Sequence, residues 1–524
     1  MMKSNFFNKP HLSVFWGAFL LGVILFSCKD DEKPTVSQSK INVTGIELIS
    51  GAVPNGRTNA SVSWSHLFPS DLQITFKNNQ DGKSYDLKIN PNDFSKSYSL
   101  ELPEGAYTYQ GTTSSTNPIS AELPITVTGE VQIGTSAVDL KLKGYSTYGL
   151  LTFSKRNLPT PPALMGATVF PLFEKSGFYY VYHRETSLKV DVPLTGGKKI
   201  RLPVTNSAFS HAQFQFRATG DTDPDQFINK DFSLNQRSFT LSADGYPSEL
   251  VPYLSVDLPQ SQRETSGLAW IQGKLFSIND GGNAAEIYEL NPQIGALLRT
   301  ISVQGVSNID WEDLAVSPTH LFIGDFGNNL GNRKDLRILK ISIADLISQT
   351  NVQPQLIEFS FSDQSQFSFT ANSHNFDCEA MVFANGKIHL FSKNWTDSKT
   401  KHYTLSSDAG KHSTALIGEW DTQGLITGAD VTSDGKHLVL IGYENKGISS
   451  RAFVWGIPNF NGNTISSSKG YQFFLGSPIS LGQTEGITFT GNLETKISGE
   501  SLSLAGNSTP PRMFNLDWNG IFNP

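Results

Sequence analysis

The chain has 524 residues and a formal net charge of −7, with 41 lysines and arginines against 48 aspartates and glutamates. No segment concentrates basic residues, which excludes a nucleic-acid partner, because phosphate binding needs a dense basic face. Two cysteines, Cys28 and Cys378, leave no internal disulfide once Cys28 is committed elsewhere, so stability must come from packing.

The first segment carries Lys3 and Lys9, an apolar run over 14–26, then Ser27 and Cys28. That order of charge, apolar stretch and small residue is an export signal, and the run is short for a membrane span. Residues 1–28 are expected to be a lipoprotein leader, with the mature protein anchored to a membrane by acyl chains on Cys28. Each buried methylene contributes about 0.8 kcal/mol, so two or three chains hold firmly. Residues 29–40 read as a tether. The run Lys29-Asp30-Asp31-Glu32-Lys33 resembles the export tag of surface lipoproteins in one group of Gram-negative bacteria, which implies an outer-membrane protein facing the exterior. A solvated linker has the same composition.

Strand-like alternation follows over 43–48, 60–64, 72–76, 98–102, 125–127 and 138–142, with turn formers such as Pro103 and Gly105 between. A second series covers 148–153, 178–182, 188–192, 200–204, 214–216 and 239–241. Long helical periodicity is absent. The expected fold class is all-β, with two β-sandwich domains at 41–145 and 146–245. By pattern both resemble carbohydrate-binding and fimbrillin-like modules of surface lipoproteins.

Residues 250–524 repeat themselves. An acidic or hydroxyl residue followed by a short apolar strand recurs at Ser266, Glu312, Glu379, Ala429-Asp430 and Glu485, at spacings of 46 to 67 residues. Each copy continues into a second and a third strand, the mark of propeller blades. Fourth strands are expected at 297–303, 356–361, 415–420 and 471–475. The fifth copy runs out of chain, and residues 253–258 can supply its missing strand. The count is five blades, or six if 342–376 hides a degenerate one.

Inner strands of a propeller line its axis, so Ser266, Glu312, Glu379 and Glu485 are expected to converge there. Carboxylates converging on one axis repel and are costly to desolvate without a compensating cation. Calcium, with six to eight oxygen ligands in loose geometry, fits that need better than magnesium. The alternative is that these residues cap turns or face channel water. Asp280, Asp325, Lys393 and Glu500 follow the second strands and are expected to rim one mouth as ligand-binding groups. Their neighbours, including Asn279, Gly281, Gly282, Asn328 and Asn329, are also plain turn formers.

These residues suggest a family. Glu264-Thr265-Ser266-Gly267, Asn279-Asp280-Gly281-Gly282, Asp310-Trp311-Glu312-Asp313, Gly324-Asp325-Phe326-Gly327-Asn328-Asn329, Asp377-Cys378-Glu379, Thr427-Gly428-Ala429-Asp430 and Thr484-Glu485-Gly486 together resemble the esterase-like phytases and related propellers, over about residues 260–500. The inner ring also resembles the axial calcium site of five-bladed calcium-activated apyrases. The resemblance implies a calcium-stabilised propeller whose charged mouth binds a ligand or hydrolyses a phosphate ester. One departure counts against hydrolysis: in the fourth unit the family tends to place an arginine before a threonine-tyrosine pair, whereas this chain has Ile441-Gly442-Tyr443, leaving Arg263, Arg333 and Lys393 as candidate cations. No nucleophile motif is present, and His374, His389, His402, His412 and His437 do not fall at metal-ligand spacings. Cys378 reads as packing. The expected function is a surface lipoprotein whose propeller presents a face to an extracellular ligand or envelope protein, with a calcium-dependent phosphoester hydrolase as the alternative.

Overall fold

The computed structural model describes residues 37–50, 62–113, 117–221, 227–367, 369–491, 493–504 and 506–523. The leader, Cys28 and the tether as far as residue 36 lie outside the described residues. Among those described, no helix is long and apolar enough to cross a membrane.

The chain is all-β. Its first sheet runs, in spatial order, Ser84–Ile89, Leu72–Asn78, Gly105–Thr112, Thr126–Ile133, Val138–Tyr145, Gln38–Leu48 and Tyr98–Pro103. In Leu72–Asn78 the pleat turns Leu72, Ile74 and Phe76 inward and Gln73 and Lys77 outward. The second sheet includes Phe178–His183, Gly149–Ser154, Ser210–Arg217 and Ser233–Thr240. Its strands Gly149–Ser154 and Phe178–His183 are buried at every residue, which explains their unbroken apolar and aromatic runs. Leu150, Tyr180 and Tyr182 pack toward the first sheet. Leu151, Phe153 and Val181 pack toward a third sheet containing Ala163–Met165, Ser187–Pro193 and Lys199–Thr205. The two sandwiches thus share their middle layer, and Ile119–Ser120 crosses over to pair with Phe178–His183.

The same core runs on into the C-terminal half. Tyr246 meets Tyr471 edge-on, with ring centroids 4.8 Å apart. Lys189 pairs with Glu494 and Asp517. The last turn, Asn519–Phe522, lies so close to Lys199–Thr205 that a Cβ on Gly520 would fall 2.6 Å from the Ile200 Cα. Only glycine fits there.

Five sheets of four strands each make the propeller, and two of them gain a short fifth strand at the outer edge. Their inner strands, Thr265–Ile271, Trp311–Val316, Cys378–Ala384, Leu425–Val431 and Gln483–Gly491, touch in cyclic order, the last meeting the first. The ring closes where Tyr253–Asp257 pairs antiparallel with Arg512–Asp517, completing the sheet of Glu494–Glu500 and Gln483–Gly491. The stretch considered for a sixth blade holds Ile343–Ser348, Asn351–Val352 and Gln355–Ser360; the last is the outer strand of the second blade and Asn351–Val352 extends the first.

Every inner strand slips register at the same place: between Thr265 and Leu268, Trp311 and Leu314, Cys378 and Ala380, Ile426 and Gly428, and Thr484 and Ile487. A bulge re-aims the residue it contains. The bulged residues are Ser266, Glu312, Glu379, Thr427 and Glu485, so Thr427 occupies the fourth ring position that Ala429 was expected to hold. Ala429 belongs to the apolar body of that strand. An extra residue in a bulge breaks simple alternation, and the acidic Asp430 drew the repeat two places out of phase.

Bulges bring side chains within reach of the next blade. Ser266 Oγ donates to the Glu312 carbonyl, Thr427 Oγ1 to the Thr484 carbonyl at 2.7 Å, and Ser498 Oγ to the Ser266 carbonyl at 3.3 Å. Asp313, fully buried, accepts from the backbone amides of Leu314, Met381 (2.8 Å) and Ala429 (3.2 Å), tying three blades together. A buried histidine pair does the same between the third and fourth blades. The Ile465 amide donates to His402 Nδ1 (3.3 Å), so His402 Nε2 donates to His389 Nδ1 (2.9 Å) and His389 Nε2 to the Ala384 carbonyl (3.3 Å).

Two stability outcomes follow from these staples. Asp313→Ala lowers unfolding free energy by about 3 kcal/mol or more in a denaturant titration, because each stranded buried donor costs roughly 1–3 kcal/mol. Burial holds His389 down to about 4 and His402 down to about 3, so both are neutral in the folded state. Their contribution is complete above the ordinary histidine pKa of about 6.5 and is lost as pH falls from there through the folded values. A double His389→Gln, His402→Gln variant flattens the acid limb of a melting-temperature profile between pH about 6.5 and about 3.

Candidate functional site

The loops that follow the second strands enclose an axial cavity of about 270 Å³, lined by Asp280, Glu312, Glu379, Lys393, Tyr443 and Glu485 together with Asn329, Trp395 and Gln483. Three of the four residues expected to hold metal, Glu312, Glu379 and Glu485, reach this cavity. The fourth, Ser266, is buried and its hydroxyl is given to the Glu312 carbonyl.

Six carboxyl groups here are pushed above their ordinary range. Burial does most of this at Glu312, with Glu379, Asp280 and Asp310 adding repulsion. Burial also raises Asp280, Glu379 and Glu485, the last to about 7. Burial and then Asp280 and Asp377 raise Asp310 to about 7, while burial and then Glu485 and Asp280 raise Glu500 to about 9. Against them stands Lys393, whose Nζ lies 3.1 Å from Glu379 Oε1 and over the rings of Trp395 and Tyr443 at 5.1 and 5.5 Å. Burial opposes the charge on Lys393, but Glu379, Tyr443 and Glu485 outweigh it and hold the ammonium above the usual lysine range. One ammonium cannot balance this many carboxyls, so the site demands protons or a cation.

The carboxylates are not equally provided for. Glu485 accepts from Gln483 Nε2 at 2.6 Å and Glu379 has Lys393. Among the described residues no hydrogen-bond donor reaches the carboxylates of Asp310 or Glu312. Their oxygens and one of Asp280 lie within 4.8 Å of one another. Oxygens that far apart can share an ion held at about 2.4 Å from each. The backbone makes room for this: a Cβ on Gly327 would sit 2.0 Å from Glu312 Oε1 and 2.5 Å from Asp310 Oδ2, and one on Gly281 would sit 2.3 Å from Asp310 Oδ1. Neither glycine has a positive φ, so space alone explains them.

The expected rim divides. Asp280 and Lys393 line the cavity. Glu500 lies beside it, close enough for Glu485 and Asp280 to raise it. Asp325 does not serve the mouth: it is fully buried, accepts from the Asp310 amide (3.1 Å), and pairs with Arg333 (3.0 Å) and Arg337 (2.8 Å). Two guanidiniums saturate it, and Arg333 is thereby removed from the candidate cations. Arg263 is exposed and pairs with half-buried Glu264 at 2.9 Å. Asp310 was missed by sequence reasoning, although it opens the Asp310-Trp311-Glu312-Asp313 run. It precedes the strand rather than sitting in the repeat.

No protein-family model and no curated protein matches the chain. Solved structures with partial likeness include the PQQ-bound aldose sugar dehydrogenase of Streptomyces coelicolor, at 11% identity over 50% of this chain and 97% of that one, TM-score 0.30. Another is the glutaminyl cyclase of Myxococcus xanthus, at 14% identity over 52% and 97%, TM-score 0.31. A third is a fimbrial assembly protein from Parabacteroides distasonis, at 10% identity over 34% and 90%, TM-score 0.22. At these scores none carries functional meaning for this chain.

The crowding predicts a pH effect. Glu500 is held near 9 in the folded protein against an ordinary value of about 4.3, so it opposes folding increasingly as pH rises between those values. In chelator, Glu500→Gln melts at a higher temperature than the parent chain at pH about 8, and the difference disappears near pH about 4.

Proposed function

We propose that the chain is a lipid-anchored protein of the bacterial outer surface whose propeller binds calcium and uses the ion to hold a ligand in the axial cavity. The observation that carries this is the trio Asp280, Asp310 and Glu312, whose oxygens lie within 4.8 Å of one another and among which Asp310 and Glu312 have no donor of their own. Hard oxygen donors suit a hard cation, and a loop-borne cage suits the looser geometry of calcium better than magnesium. The ligand set differs from the axial ring expected from sequence, since Ser266 and Glu379 are committed to other partners. Anchoring rests on the leader ending at Cys28.

The cavity also presents Lys393, Trp395 and Tyr443. A cation on one wall and an ammonium on another favour a ligand that carries an anionic group, with aromatic rings for its body. The hydrolase alternative draws on the same Lys393 and on the resemblance to esterase-like phytases. Binding is the better supported, because Arg333 is spent on Asp325 and phosphoryl transfer needs several positive groups around the developing charge.

Calorimetric melting of the whole chain with calcium and with chelator tests the reading. At a hundredfold excess over the dissociation constant, calcium adds about 2.7 kcal/mol. Asp310→Asn and Gly327→Ala keep the fold and lose the shift. A parent chain that melts identically in calcium and in chelator removes the calcium reading. Turnover of a phosphomonoester by the calcium-loaded chain, lost in Lys393→Met, would establish the hydrolase in place of the binder.

A further inference from the structure

Only two lysines are buried among the described residues, Lys393 and Lys496. Lys393 faces a carboxylate, whereas Lys496 faces an amide. Its Nζ donates to Asn515 Oδ1 at 2.9 Å, and both residues are 7% exposed. They are direct register partners on the antiparallel strands Glu494–Glu500 and Arg512–Asp517, and Tyr253 on the closing strand is the register partner of Asn515 on its other side. The Tyr253 hydroxyl is buried beside this pair. Glu494 and Asp517 pair one rung further along the same face.

We propose that Lys496 and Asn515 become joined by an amide bond between Nζ and Cγ in the folded protein. The arrangement supplies what the reaction needs. Desolvation lowers the Lys496 pKa, with the Glu494 charge acting against it, so the nucleophilic neutral amine is more accessible than in water. The blade holds amine and carboxamide in contact, which replaces a bimolecular encounter by a fixed geometry. The Nζ lone pair attacks Cγ, and the carbonyl electrons move onto Oδ1. They return as the Cγ–Nδ2 bond breaks, and the proton lost by Nζ passes to Nδ2. The products are a secondary amide and one ammonia, with no change in oxidation state and no outside reagent.

The bond would sit beside the seam that closes the ring. Arg512–Asp517 is the strand on which the N-terminal strand Tyr253–Asp257 closes the propeller. Cys378, buried and free, supplies no disulfide to secure it.

Mass spectrometry of tryptic peptides from the denatured full-length protein tests this directly. The expected result is a branched species in which the peptides bearing Lys496 and Asn515 are joined, lighter than their sum by one ammonia, with no cleavage after Lys496. Separate linear peptides with a free Lys496 amine overturn the proposal.

Discussion

Crowding of like charge on the propeller axis is the constraint to which the rest of the structure answers. Glu312, Glu379 and Glu485 reach the axis because each inner strand is bulged at the same point, and bulges forfeit ladder hydrogen bonds. Ser266, Thr427 and Asp313 restore them across blade boundaries. Where strands press closest there is no room for side chains: a Cβ on Gly428 would meet the Glu485 carbonyl at 2.2 Å, and one on Gly486 the Ser266 carbonyl at 2.3 Å. Polar staples and missing side chains together let five strands approach an axis that electrostatics alone would push apart.

What separates structural from functional acids is how each is neutralised. Asp325 receives two arginines. Glu444 receives Arg451 and Lys446, and its hydrogen bond from Arg451 leads in pulling it to about 2. Both stand at positions after second strands that resemble Asp280 in sequence. Asp280, Asp310 and Glu312 are left without such partners and shift upward instead. A protein that supplies counter-charges to some acids and withholds them from others a few ångströms away concentrates unmet electrostatic need in one small volume, which is where a ligand has most to offer.

Much of this was legible in the sequence. The five inner strands, the closing strand around Tyr253 and the approach of Glu312, Glu379 and Glu485 follow from the repeat, because blade periodicity and the core demand of each strand leave a direct trace in residue order. The phase of the fourth repeat was not legible: a bulge adds a residue without a compositional mark, so Thr427 went unseen. Asp325 and Asp280 could not be told apart, since the arginine partners of Asp325 come from a loop and a third strand whose folding back is a tertiary event. Nor did the shared middle sheet of the sandwiches announce itself. Strands buried on both faces lose the alternation that would assign each face to a module.

Packing is continuous from the second and third sheets through Tyr246, Gly520 and the C-terminal turn into the fourth and fifth blades. Lys189 grips the fifth blade at Glu494, the far end of a strand whose other end, Glu500, borders the cavity. The N-terminal sheets therefore act as a rigid bracket. Whatever fixes that bracket in place also sets the direction in which the mouth points.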